Sequence, residues 1–142
     1  MVSGAIGGFL DVAFNFNTQA FLDDNLLDQL YRIGWKLVML GDNTWIKLFP
    51  GLFSRQDGVS SFFVKDTVEV DYNVTRHLEA ELAANDWSLL ILHYLGLDHV
   101  GHIGGRQSKL MAPKLNEMDE VIKTIHTRLA QEQDNVDKRT LL

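Results

Sequence analysis

The chain contains no cysteine. Disulfides, thiolate zinc sites and thiol nucleophiles are therefore excluded. Only two prolines occur in 142 residues, so no proline-rich linker divides the chain, and its length suits one domain. No stretch reaches about 18 consecutive apolar residues, which leaves no segment able to cross a membrane as a helix. Positive charge is scarce as well: 13 Lys and Arg stand against 19 Asp and Glu, a formal net charge of -6. Without a basic stripe, nucleic acid is not an expected partner. The opening MVSGAIGGFL has no basic start of the kind a signal peptide needs. What is present is core material. Hydrophobic residues make up 46% and charged residues 23%, the balance of an ordinary globular domain.

The apolar spacing sketches the elements. Leu22, Leu26, Leu30 and Ile33 recur at helical intervals over residues 21–33, and Gly34 follows as a helix stop. Residues 36–40 (KLVML) read as a buried strand, broken by Gly41-Asp42-Asn43-Thr44. Residues 45–66 read as irregular, with Pro50, Gly51 and Gly58 as breakers. Val70, Val74, Leu78 and Leu82 predict a helix from Asp71, which is placed to cap it, and Asn85-Asp86 closes it. Residues 88–94 (SLLILHY) predict a second buried strand. A long helix over residues 112–131 carries Leu115, Met118, Ile122, Ile125 and Leu129, with Pro113 in its first turn. This alternation is that of an α/β layered fold with a mostly parallel sheet. Residues 1–131 form its domain, and residues 132–142 form a polar, disordered tail.

In such folds ligands gather beyond the carboxyl ends of the strands. Two polar clusters follow strands here: residues 41–44, and the stretch HYLGLDHVGH over residues 93–102. Asp98 and His102 are four apart, so one helical turn places both on the same face. A carboxylate oxygen and an imidazole nitrogen can then bind one divalent cation at about 2.0–2.2 Å. The bland alternative is a solvated aspartate at a helix start. His99 points elsewhere on that helix, and His93, inside the strand, reads as a hydrogen-bonded core histidine. Asp42 is either part of a site or the cap of a helix starting near Thr44. Trp45, Phe49, Phe53, Phe62 and Phe63 read as core and lining, and Glu117, Asp119 and Glu120 as a solvated helix face. Asn73-Val74-Thr75 is an N-glycosylation pattern on Asn73.

The runs Gly41-Asp42-Asn43-Thr44-Trp45, Leu48-Phe49-Pro50 and residues 93–102 resemble those of the GPI ethanolamine phosphate transferases, above all the branch acting on the second mannose. The resemblance covers roughly residues 3–127. The soluble part of that family is similar to the alkaline phosphatase superfamily, so the resemblance implies a partial alkaline-phosphatase-like fold. It implies transfer of phosphoethanolamine from phosphatidylethanolamine to a mannose hydroxyl of the GPI-precursor glycolipid, on the lumenal side of the endoplasmic reticulum membrane. It implies two zinc ions, or another divalent metal, and a threonine nucleophile, and it makes a small membrane-protein partner subunit an expectation. Matched position by position, Asp98 and His102 correspond to two ligands of one metal, while Asp42 and Thr44 fall at the rim of the substrate pocket. The family's nucleophilic threonine lies upstream of this chain, and no later Gly-Asp-His-Gly motif is found. The expectation is an internal piece or truncated product, inactive by itself. The alternatives are another metal-dependent phosphodiesterase of the superfamily, or a non-catalytic truncated product.

Overall fold

The computed structural model describes residues 20, 23–60, 66–84 and 86–133. Leu22, the glycine-rich opening, Phe62, Phe63 and the tail over residues 134–142 lie outside them. Helix α1 (Leu26–Arg32) starts at Asn25, whose Oδ1 accepts from the Asp28 amide at 3.0 Å. It ends where Gly34 takes φ +86°. There the Trp35 amide reaches back to the Leu30 carbonyl and the Gly34 amide to that of Tyr31, the paired closure that a left-handed residue permits. The helix is shorter than expected and turned differently: Leu27 is buried, while Leu26 and Ile33 are exposed.

Strand β1 (Leu37–Asp42) is buried at every position. The reason is its place in the sheet, whose order is β2-β1-β3 with both pairings parallel. A central strand covered on both faces has no solvent side, hence its unbroken apolar sequence. The short helix α2 (Thr44–Leu48) follows, then β2 (Phe53–Val59). The sequence reading placed no strand over residues 45–66, and this is its clearest correction. FSRQDGV has too few apolar residues to announce a strand. It forms one because β1 offers a ladder and its polar side chains find partners: Arg55 meets Glu81 and Asp86, and Asp57 meets Arg76 and His77.

Helix α3 (Glu69–Ala84) buries Val70, Val74, Leu78 and Leu82 as the four-residue spacing predicts. Its cap is not Asp71. Asp66 Oδ1 accepts from the Val68 and Glu69 amides, both at 2.9 Å, and these bonds hold the Asp66 carboxyl below the ordinary carboxylate range. Strand β3 (Leu89–His93) leads to α4 (Gly96–Gly104), a 3-10 turn (Gly105–Gln107), and the long α5 (Met111–Gln133).

Two apolar clusters flank the sheet. Leu27, Leu37 and Phe49 gather Leu89 and Ile91, together with Trp45 and Phe53. Leu78, Leu82 and Ile125 gather Leu90 and Leu92. Alternate residues of β3 thus feed opposite faces, the period-two rule of a strand. Among the described residues the result is a three-stranded parallel sheet between helices, the expected α/β arrangement. On α5, Ile125 is buried and Met118 and Leu129 half-buried, but Leu115 and Ile122 are exposed. No helix among the described residues is long and apolar enough to cross a membrane.

The contact of Asp57 with α3 carries a pH consequence. Partial burial pushes the Asp57 carboxyl up, but hydrogen bonds from His77 (2.7 Å) and Arg76 (2.9 Å) outweigh this and lower it. A carboxyl lowered in the fold stabilises it above the unfolded value of about 4, and that contribution fades as the pH falls through this range. Urea midpoints measured from neutral to acid pH should therefore fall less steeply for Asp57→Asn than for the unsubstituted chain.

Candidate metal centre

The site grows from the ends of two neighbouring parallel strands. Gly41 of β1 lies opposite His93 of β3, so Asp42 and the start of α4 leave the same edge of the sheet. Helix α4 begins three residues past His93 and carries Asp98 in its first turn and His102 in its last. As the four-residue spacing requires, the two side chains lie on one face, with His102 Nε2 3.5 Å from Asp98 Oδ2. Both are open to solvent, His102 at 69% and Asp98 at 59% of side-chain exposure.

This separation can be tested against a cation. Two ligands bound at about 2.0–2.2 Å to one tetrahedral ion stand about 3.3–3.6 Å apart. The observed 3.5 Å falls in that interval. The donors, one carboxylate oxygen and one imidazole nitrogen, suit zinc chemically. They are two ligands and no more: no group of three or more His, Asp or Glu able to hold a metal occurs among the described residues.

The two other histidines of this stretch, His93 and His99, are structural. His99 is buried, and its Nδ1 lies 2.6 Å from the Asp66 carbonyl, which it meets as a donor. His93 accepts the Trp45 indole N–H on Nδ1 at 2.9 Å, which places the proton of the neutral ring on Nε2. Their rings meet edge to face at 6.0 Å. Trp45 and Phe49 pack into the core as expected.

Asp42 and Thr44 form a local unit. Asp42 is buried, and its Oδ1 accepts both the Thr44 amide and the Thr44 hydroxyl at 3.1 Å. Asp42 thus holds the first residue of α2 from just outside the helix, whose cap position is Asn43. Among the described residues no hydrogen bond or ion pair joins this unit to Asp98 or His102. Asn73 is 2% exposed, and its Nδ2 donates to the Asp57 carbonyl at 3.2 Å. A glycan on that nitrogen has no room at so buried an atom and would have to lever the side chain out of the face of α3 that covers the sheet.

Sequence reasoning missed the buried ion pair beneath the site. Lys114 of α5, 7% exposed, meets Asp71 of α3, 1% exposed, at 2.9 Å. Burial works against the charge of Lys114, but the carboxylates of Asp71 and Glu117 overcome it and raise its pKa. Neither residue shows this in the sequence, where Asp71 reads as a cap and Lys114 carries no signal of burial.

No family model and no solved structure matches the chain. Curated proteins do. The chain is 49% identical over 142 residues to the catalytic subunit of GPI ethanolamine phosphate transferase 2 of Homo sapiens, all of the chain but 14% of that protein. It is 51% identical over 137 residues to GPI ethanolamine phosphate transferase 2 of Aspergillus oryzae, covering 93% of the chain and 16% of that protein. It is 40% identical over 150 aligned residues to the protein of that name in Schizosaccharomyces pombe, covering 100% and 20%. The chain thus spans between about a seventh and a fifth of the length of these relatives.

Proposed function

We propose, from homology over nearly the whole chain to GPI ethanolamine phosphate transferase 2, that this chain is part of the catalytic domain of that metal-dependent phosphotransferase. The reaction is transfer of phosphoethanolamine from phosphatidylethanolamine to the second mannose of the GPI-precursor glycolipid, on the lumenal side of the endoplasmic reticulum membrane. A small membrane-protein subunit belongs to the same proposal. The observation that carries the reading is the Asp98–His102 pair, set 3.5 Å apart past the end of a parallel strand that is half-buried along its length.

In this reading Asp98 and His102 hold one of two divalent ions, with zinc the best fit to the donors. A bound ion supplies Lewis-acid stabilisation of charge on phosphate oxygens. The rest falls to side chains. Thr44 lends its hydroxyl proton to Asp42, so its oxygen is left as an acceptor. That suits a donor group of the substrate, a sugar hydroxyl or an ammonium, and not a phosphate oxygen. Asp42 holds Thr44 in that orientation. Thr44 is not the nucleophile, since no base stands beside it other than a carboxylate that its own amide already engages.

Two ligands bind an ion weakly, and without a nucleophile the chain alone turns nothing over. Isothermal titration with zinc should show weak binding that Asp98→Ala lowers by about tenfold or more, since a coordinating oxygen disappears. The same protein should show no zinc-dependent phosphodiesterase turnover. Turnover abolished by Asp98→Ala would overturn the inactivity while keeping the site. Zinc binding indifferent to both Asp98→Ala and His102→Ala would remove the metal centre.

A further inference from the structure

We propose that Asp71, neutralised by Lys114, is a positioning residue for the metal-binding helix α4, and so sets where Asp98 and His102 stand. The inference rests on the metal reading above. Three elements meet at one buried point. Asp71 Oδ1 accepts the Leu95 amide at 2.8 Å and the Gly96 amide at 3.0 Å. These are N–H groups at the start of a helix, which the helix cannot satisfy by itself, and a carboxylate there also complements its dipole. Asp71 Oδ2 faces Lys114 Nζ at 2.9 Å, so α5 supplies the counter-charge. Gly96 makes the junction possible: a Cβ at that position would collide with Asp71 Oδ2 and Lys114 Cε, and would stand 2.5 Å from the Thr67 carbonyl oxygen.

The same helix is held a second time by His99, whose Nδ1 donates to the Asp66 carbonyl. These two attachments fix the rotation and the tilt of the first turn of α4. Burial of Val100 seats the same helix against its neighbours, and the ligands depend on how the helix is set because their own side chains have no further anchor among the described residues. Asp98 and His102 are solvent-exposed, and among the described residues neither makes a hydrogen bond or ion pair with a third side chain. Their position is inherited from the backbone of α4. Groups that orient metal ligands without touching the metal contribute to affinity by sparing the site that ordering.

The test uses the full chain and zinc alone. Zinc affinity is read by competition with a chromophoric chelator, and amide exchange at Leu95 and Gly96 by NMR. Asp71→Asn keeps the size of the side chain and removes the charge. It is expected to remain folded at low temperature and to lower zinc affinity about tenfold, with Leu95 and Gly96 exchanging faster relative to amides in the middle of α3. Asp71→Glu is the second variant; it retains the charge, displaces the oxygens, and is expected to give a smaller loss of the same kind. Leu82→Ala is the control. It loosens the core at the other end of α3, in the cluster with Leu78 and Ile125, and should leave affinity within about twofold because the sites are distant. Unchanged affinity in folded Asp71→Asn and Asp71→Glu overturns the proposal, as does an equal loss in Leu82→Ala, which would reduce Asp71 to general stability. Zinc binding that the unsubstituted chain lacks, or that Asp98→Ala leaves untouched, sinks the metal reading and takes this proposal with it.

Discussion

Lys114→Ala is expected to lower the unfolding free energy by about 3–5 kcal/mol, the cost of removing one member of a buried ion pair. Asp71 is 1% exposed. Its Oδ1 keeps the two amide donors of α4, but its Oδ2 has no hydrogen-bond partner apart from the ionic contact with Lys114. Removing the ammonium leaves a carboxylate that water cannot reach and that the protein no longer balances. Glu117 does not share this fate, since it is about half exposed and resolvates. The cost therefore arises from stranded charge and not from lost attraction. Asp71→Asn combined with Lys114→Met should accordingly recover a large part of the loss, because no buried charge remains. Urea unfolding followed by far-UV circular dichroism measures both variants. A single-variant loss below about 1 kcal/mol, the size of a solvated surface pair, would mean that the contact opens to water in solution.

Gly41→Ala is expected to cost about 3 kcal/mol, combining backbone strain with overpacking. Gly41 stands at φ +127°, a conformation that side chains rarely accept. A Cβ there would also collide with the His93 carbonyl oxygen and approach His93 Cβ at 3.1 Å. Both contacts are with the neighbouring strand at the sheet edge that leads into the site, so relief requires β1 and β3 to move apart. The hydrogen bond from Trp45 to His93 should weaken with them. An indole N–H resonance reports this directly, and the denaturation midpoint gives the energy. A variant within about 1 kcal/mol of the parent, with the indole signal unmoved, would show that the edge can relax without the predicted separation.

Much of the framework could be read before any coordinates. The period of Val70, Val74, Leu78 and Leu82 and the apolar runs of β1 and β3 follow from burial of one face or both, and the stop at Gly34 from the left-handed backbone that glycine permits. The Asp98–His102 pair was legible for the same reason, since a four-residue interval on a helix fixes which side chains are neighbours. Where the pattern was weak, the reading went astray. On α1 the stripe through Leu26 selected the exposed side over Leu27. β2 carries Ser, Arg, Gln and Asp where a strand signal would need apolar residues, and it exists only because β1 and α3 supply its partners.

Local periodicity was thus sufficient for α3 and the long α5, the two apolar strands and the alignment of Asp98 with His102, because each depends on neighbours within a turn or two of the chain. The tertiary fold alone decided the role of Asp71 and Lys114, 43 positions apart by their numbers, and the existence of β2. It also decided the covered position of Asn73. In each case the deciding partner lies far along the chain, and a polar side chain takes its meaning from what encloses it.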